Sequence, residues 1–324
     1  MIFDGHSDLW EDVYEKRLRG MTSIIPRFHM KKWKEGNVNG GFYPIWADPY
    51  RTVYPIPVKQ QAHAIITSMQ QEIKEDEQFV QVVRNLHEYQ NALRLGKHAL
   101  FLGSEGLSYI GSEIEKLEKL YALGFREASL TWNEENELAT GPDGDPERGL
   151  TESGIRCIKK IHALDMILDL AHANEKTFWD AVKLTDRPFI ISHSGCRSVC
   201  DVPRNLTDDQ IRAVAERQGV IGIYAYAPFL SEEPQHRNLQ GFADHIDHVA
   251  SLVGVDYVGL GFDFVDFLDD VGTDPTISEV TTSLECIEKS GGVVQELKAR
   301  GYSESEICKI CKGNFLRVIQ SVLK

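Results

Sequence analysis

The sequence predicts an α/β protein folded as a (β/α)8 TIM barrel, and three observations predict it. Apolar runs of strand length recur eight times, longer amphipathic segments lie between them, and imidazoles and carboxylates gather where the runs end. Strands alternating with helices make a parallel sheet, and eight such units close on themselves. The first run, 2–8, opens on Ile2-Phe3 and ends in His6 and Asp8. The second, 41–47, is aromatic and aliphatic from Phe42 to Trp46, and the third, 99–105, passes from Leu100-Phe101-Leu102 to Glu105. The fourth, 127–133, ends in Trp132 and Asn133, and the fifth, 166–172, carries Ile167-Leu168 and ends in His172. The sixth, 188–193, reads Phe189-Ile190-Ile191 before His193; the seventh, 219–225, centres on Val220-Ile221; the eighth, 257–263, ends in Asp263. Amphipathic segments at 60–73, 113–123, 152–164, 175–183, 208–217 and 242–253 supply the helices between runs. Two further helices, at 281–300 and 303–323, are expected to cover the outside.

With 324 residues, 42% of them hydrophobic, the chain can bury a large core, and barrels of this length form one domain, here 1–324. The formal net charge of −14 opposes a nucleic-acid partner. No stretch approaches the roughly 18 consecutive apolar residues of a membrane span. Met1-Ile2-Phe3-Asp4 leads straight into polar residues, so no secretory leader is expected and the expected location is cytoplasmic. The six cysteines are too sparse for a disulfide framework and read as reduced thiols. Cys308-x-x-Cys311 lacks a second pair of ligands nearby, and Cys196 and Cys200 read as packing. The oligomeric state is open, a homodimer being compatible with the sequence. Two loops, 136–150 and 48–57, follow runs on the face where barrel enzymes carry their sites, as lids or as ordinary connections.

In a parallel barrel the C-terminal ends of the strands converge on one face. His6, Asp8, Glu105, His172, His193 and Asp263 would therefore surround one small volume. Singly each signal is weak: Glu105 reads equally as a turn carboxylate, His172 as a core histidine, His193 as a helix cap and Asp263 as an N-cap. His6-x-Asp8 puts two side chains on one side of a strand. Together they bury more charge than a protein tolerates without a counter-ion, and a divalent metal is the usual remedy. Imidazole and carboxylate suit zinc, and one carboxylate can bridge two ions. A bridging Glu105 divides the ligands evenly, His6 and Asp8 on one Zn2+, His172 and His193 on the other. Two ions lower the pKa of a shared water and polarise a carbonyl, as amide hydrolysis requires. Asp263 remains as the base that takes the proton of that water and passes it to the leaving amine.

These segments resemble the membrane dipeptidase (renal dipeptidase) family of metallopeptidases. Asp4-Gly5-His6-Ser7-Asp8-Leu9 is similar to its opening motif, Gly103-Ser104-Glu105-Gly106 to its bridging-glutamate segment, and Asp169-Leu170-Ala171-His172 and Ile191-Ser192-His193-Ser194 to its two histidine strands. Val199-Cys200-Asp201 and Pro203-Arg204-Asn205-Leu206 resemble its most specific stretch, and Gly259-Leu260-Gly261-Phe262-Asp263-Phe264 its aspartate strand. The resemblance runs in order from residue 4 to about 317 and implies a soluble, prokaryote-like, binuclear zinc dipeptidase with the ligands above. A metal-bridging hydroxide would attack the peptide bond of a dipeptide, a small-molecule substrate. It also implies that Arg204 grips the dipeptide's free carboxylate, which a guanidinium fork can hold in a bidentate way.

Two departures bear on substrate. Animal members carry a histidine after the fourth strand that steadies the oxyanion, whereas Trp132 stands there here, with Asn133 beside it as a candidate substrate-binding group. An indole N–H donates a hydrogen bond but carries no charge, and losing a positioned oxyanion donor costs on the order of 3–4 kcal/mol. The family's Asp-Phe-Asp-Gly is replaced by Asp263-Phe264-Val265-Asp266. The alternative readings are an amidase or lactonase acting on another small carboxylate-bearing substrate, and a metal-containing binding protein without turnover. The second is disfavoured because a binder needs no spare base beside two metals.

Overall fold

The computed structural model describes residues 1–47, 50, 56–268 and 280–324. Among them nine strands are found: β1 (Ile2–Asp4), β2 (Val38–Trp46), β3 (Val80–Val82), β4 (His98–Glu105), β5 (Glu127–Ser129), β6 (Ile167–Asp169), β7 (Ile190–Ser194), β8 (Val220–Ile223) and β9 (Val258–Leu260). They form two sheets, ordered β1-β2-β4-β3 and β5-β6-β7-β8-β9, with every pairing parallel. The sheets meet along both edges. At one, the Arg126 N–H donates to the Leu102 carbonyl at 2.8 Å; at the other, the Gly5 N–H donates to the Leu260 carbonyl at 2.7 Å. Eight strands thus ring a common interior, and the expected (β/α)8 architecture is the one observed. The unpredicted β3 pairs only with Val80 against His98 through Val82 against Leu100, before Phe125 takes its place beside Leu102. Three residues are too few to stand out as an apolar run.

Strand alternation divides the core in two. Phe3, Phe42, Phe101, Ile167, Ile190 and Val220 share one buried cluster, and their chain neighbours Ile2, Tyr43, Leu100, Leu102, Leu168, Ile191 and Ile221 share the other, which packs under the helices. The inner cluster includes Phe315, Val318, Ile319 and Val322 of the last helix, Asn314–Val322. Phe315 stacks on Phe3 at 5.5 Å, and Phe3 meets Phe42 edge-on at 5.4 Å. That helix therefore plugs the N-terminal mouth of the barrel and does not cover its outside, contrary to the sequence expectation. The tail is also more broken than expected: helices Gly291–Ala299, Glu304–Cys308 and Asn314–Val322 are separated by turns, one of them the π-turn Lys309–Gly313.

The six inter-run helices are present as Val58–Glu75, Lys116–Leu123, Glu152–Ala163, Glu175–Val182, Asp208–Glu216 and Leu239–Val253. Helices Leu9–Leu18, Met30–Glu35 and Leu86–Arg94 were not foreseen. The first of them buries Glu11, Asp12 and Lys16 alongside Leu9, Trp10 and Val13, so it shows no clean apolar stripe. No helix among the described residues is long and apolar enough to cross a membrane. All six cysteines are free thiols.

Candidate active site

On the inner face, apolar side chains fill the lower barrel, and alternation carries the same face up to Gly103, Glu105, Asp169 and Ser192. A Cβ at Gly103 would lie 1.7 Å from Glu127 Oε2, so only glycine leaves room for that buried carboxyl. Above this layer the strands stop sooner than their apolar runs. β1 ends at Asp4, β6 at Asp169 and β9 at Leu260, so His6, Asp8, His172 and Asp263 project from the turns beyond. Strand alternation therefore does not place His6 and Asp8 together, as the sequence reading had it; Asp8 instead precedes helix Leu9–Leu18. His172 (φ 61°) and Asp263 (φ 56°) adopt the left-handed conformation that non-glycine residues avoid. Such positions persist only where surrounding structure fixes them, and they concentrate at functional sites. His193 lies within β7, where the register against β8 shifts between Ile191 and Ser194. An irregularity of this kind re-aims a side chain.

The six residues meet. His6 Nε2 lies 3.4 Å from Asp8 Oδ1, 3.5 Å from Glu105 Oε2 and 3.8 Å from Asp263 Oδ1. His172 Nε2 is 2.8 Å from Glu105 Oε1 and 2.7 Å from His193 Nε2. His193 Nε2 is 3.5 Å from Glu105 Oε1 and 4.0 Å from Asp263 Oδ2. Among the described residues two groups could hold a metal ion, His6 with Glu105 and His193, and His6 with Asp8 and Asp263. Asp263 thus stands within ligand reach as well as in reserve. Asp4, given no role from sequence, accepts from the backbone N–H groups of His6 (3.3 Å) and Phe262 (2.9 Å) and ties the first turn to the last.

The outer nitrogens show which lone pairs are free. His172 Nδ1 lies 2.7 Å from Asn133 Oδ1, an acceptor, so the ring proton sits on Nδ1. His193 Nδ1 lies 2.9 Å from Ser192 Oγ, whose own proton goes to Asp169 Oδ2 at 2.5 Å. Asp169 also accepts from the N–H groups of Ala171 and Ser192. Both Nε2 atoms then face each other and Glu105 as bare lone pairs, while among the described residues His6 Nε2 and Asp8 Oδ1 are buried without a hydrogen-bond partner. Acceptors packed against acceptors call for added positive charge between them, a proton or a metal ion, and imidazoles with carboxylates are a donor set that suits zinc.

The electrostatics agree. Burial pushes the carboxyls of Asp4 and Glu105 up to about 7 and that of Asp263 up to about 6, the charge of His6 opposing the rise in each case. Burial also drives His172 and His193 well below the ordinary imidazole value, with Arg204 and His6 adding to it. His6 rises well above that value: burial opposes its charge, but Glu105 and Asp8 outweigh it. Such a cluster does not keep its carboxylates ionised without added positive charge.

A cavity of about 410 Å³ opens above these groups. Asp8, Glu105, His172 and Asp263 form its floor, and Trp46, Trp132, Asn133, Pro142, Asp143, Arg204, Tyr224 and Phe229 contribute to its walls. Arg204 is half-buried, lies over the Tyr224 ring at 5.8 Å, donates to the His193 carbonyl at 3.5 Å, and forms no ion pair among the described residues. The loop 136–150 reaches the cavity through Pro142 and Asp143, but Arg148 pins it by donating to Asn136 O, Ala139 O and Thr140 Oγ1. The second candidate lid, 48–57, lies outside the described residues apart from Tyr50, Ile56 and Pro57. Asn133, expected to face substrate, lines the cavity while its carboxamide oxygen is occupied by His172. Sequence reasoning gave no role to Ser192, Asp169 or Trp46, although Ser192 adjoins His193 and Asp169 lies three residues before His172.

Comparisons with known proteins place the chain among relatives and structures as follows. A protein in the pqqA 5′ region of Klebsiella pneumoniae, itself uncharacterized, is 33% identical over 232 residues, covering 67% of this chain and 80% of its own. Dipeptidase AC, a metallopeptidase of family M19, superimposes with a TM-score of 0.84 at 25% identity, over 99% of this chain and 98% of its own. A metallopeptidase from Rhodobacter sphaeroides, solved with a phosphinate mimic of the dipeptide L-Ala-D-Ala, gives 0.85 at 24% identity over 99% of both chains. The membrane dipeptidase family (peptidase family M19) matches residues 1–324, so this chain belongs to that family of metallopeptidases and is a hydrolase.

Proposed function

We propose that the chain is a zinc-dependent dipeptidase in which His6 and Asp8 hold one ion, His172 and His193 a second, and Glu105 both. The observation that carries this reading is the pair of bare Nε2 lone pairs on His172 and His193 facing Glu105, with the unpartnered Nε2 of His6 on the other side of the same carboxylate, on a chain of this family. When bound, the two ions supply an activated water and polarise the scissile carbonyl. The chain's own residues do the rest. Arg204, half-buried on the ring of Tyr224, takes the free carboxylate of the dipeptide and fixes its register over the floor of the cavity. Asp263 is part of that floor, and its carboxyl, raised to about 6, suits a group that accepts a proton from water and delivers it to the leaving amine. Asn133 and Ser192 hold the rings of His172 and His193 in one tautomer.

The test compares zinc-loaded protein on dipeptides, their C-terminal amides, N-acyl amino acids and lactones. The expected result is hydrolysis of dipeptides with strong discrimination against the amides. Arg204→Ala should raise KM for dipeptides more than tenfold, since truncating one partner of a buried charge pair costs roughly 2–5 kcal/mol. Arg204→Lys should recover little, because a point charge does not reproduce the guanidinium fork. Equal rates on a dipeptide and its amide would instead favour the amidase or lactonase reading, to which Trp132 and the Phe264-Val265-Asp266 sequence point.

A further inference from the structure

We infer that the site selects dipeptides whose N-terminal residue is aromatic, and that Trp46 and Trp132 form the subsite for that side chain. This rests on the dipeptidase reading above. The two indoles border the metal-binding cluster on one side: Trp46 is the register partner of Glu105 in the β2–β4 ladder, and the Trp132 ring lies 6.0 Å from that of His172. Arg204 borders the cluster on the His193 side, where it donates to the His193 carbonyl. With the substrate carboxylate on Arg204 and the scissile carbonyl over Glu105, the residue beyond that carbonyl is the N-terminal one. Its side chain then falls against the indoles.

The wall is built for a flat apolar group. The Trp46 and Trp132 centroids are 5.0 Å apart with the rings tilted by 54°, so the two indoles touch and together present one continuous aromatic wall, which the Tyr50 ring extends at 6.1 Å from Trp132. Both residues are half-buried and both line the cavity. The Trp46 Nε1 atom is buried and, among the described residues, has no hydrogen-bond partner, so what Trp46 turns to the cavity is carbon. Pro142 adds a further apolar surface to the cavity lining. A substrate ring laid against that wall gains edge-to-face or offset contacts beyond simple burial. The alternative, that two indoles crowd the site and admit only small residues, conflicts with its size. The cavity measures about 410 Å³ with both indoles in place, inside the range of roughly 300–1,000 Å³ that encloses whole small ligands.

The experiment measures kcat/KM of the zinc-loaded full chain on Phe-Ala and Trp-Ala against Ala-Ala and Gly-Ala. The expected ratio is at least about tenfold in favour of the aromatic substrates, the scale on which apolar pockets discriminate. Trp132→Ala and Trp46→Ala should each lower that ratio several-fold, mainly through KM for Phe-Ala, whereas Trp46→Phe should keep most of it. A wild-type ratio near or below one overturns the inference and leaves the dipeptidase reading standing. An unchanged ratio in both alanine variants also overturns it, since the preference then arises elsewhere. Hydrolysis of no dipeptide overturns both. If an alanine variant does not fold, Trp46→Phe and the wild-type ratio decide.

Discussion

Ser192→Ala removes one oxygen that no substrate touches, yet it should weaken metal binding. In the folded chain His193 Nδ1 donates to Ser192 Oγ at 2.9 Å, and that hydroxyl donates to Asp169 Oδ2 at 2.5 Å. Without the hydroxyl, His193 loses the acceptor that keeps its proton on Nδ1, and its Nε2 lone pair is no longer held toward Glu105. Asp169 keeps its bonds from Ala171 N–H at 2.9 Å and Ser192 N–H at 3.0 Å, so the buried carboxylate is not abandoned and the fold should survive. Deleting an outer partner of a ligating histidine lowers metal affinity by about 10–100-fold, equivalent to about 1.4–2.7 kcal/mol. The assay is competition between protein and a chromogenic zinc chelator, run beside thermal melts of the metal-free forms. The expected result is a weaker site with a metal-free melting temperature close to wild type. Zinc retention equal to wild type in a well-folded Ser192→Ala protein refutes the relay, and a large drop in metal-free stability would assign Ser192 to packing instead.

Three further outcomes follow from the same geometry. Protein dialysed against zinc should retain two equivalents per chain by elemental analysis; retention of one at most, with no gain on adding zinc, counts against sharing by Glu105. Asp263→Asn should lower kcat by several orders of magnitude while both ions stay bound; because Asp263 lies within 4.0 Å of His193 and closer to His6, loss of an ion would make it a ligand. His98 is held down to about 3 by burial, with His29 adding to it, and its Nε2 shares a hydrogen bond with the Tyr43 hydroxyl at 2.6 Å. The unfolded chain takes up a proton on His98 below pH about 6.5 while the folded chain does not. This residue therefore costs stability as pH falls from 6.5 toward 3, about 2 kcal/mol by pH 5. His98→Gln should flatten that part of the denaturation profile, and the ring's NMR shifts should not move between pH 8 and 5.

The candidate ligand set was legible because a barrel converts sequence order into spatial order. Residues at the ends of apolar runs in a parallel sheet share one face, so His6, Glu105, His172, His193 and Asp263 could be grouped without knowing any distance. The local reasons were less legible. Alternation along a strand suggested that His6 and Asp8 point the same way, but β1 stops at Asp4 and a turn brings them together. His172 and Asp263 lie in left-handed backbone, which no propensity for histidine or aspartate in a strand announces. His193 depends on a register shift set by the neighbouring strand, and register is a property of two segments at once. Helix Leu9–Leu18 escaped because its buried face carries Glu11, Asp12 and Lys16, charges paired by tertiary contacts such as His29 to Asp12 at 2.8 Å.

The same division explains why the chain can keep a strained, charged upper face at all. Each left-handed turn at His172 and Asp263 costs on the order of 1–3 kcal/mol, and the carboxyls of Asp4, Glu105 and Glu127 are buried beneath or beside them. The strands that carry these groups are fixed at their other ends by Phe3, Phe42, Phe101, Ile167, Ile190 and Val220, closed from below by Phe315. Burying a phenylalanine side chain contributes roughly 1.5–3 kcal/mol, so a few rings of this plug offset the strain of the turns. The plug is supplied by the last helix in the sequence, whereas the first site residue is His6. Closing the barrel floor thus joins the two ends of the chain: a Cβ at Gly5 would lie 2.6 Å from Phe315 Cζ, directly beside the turn that presents His6. Glycine at that position lets the apolar plug and the charged site pack against a single residue.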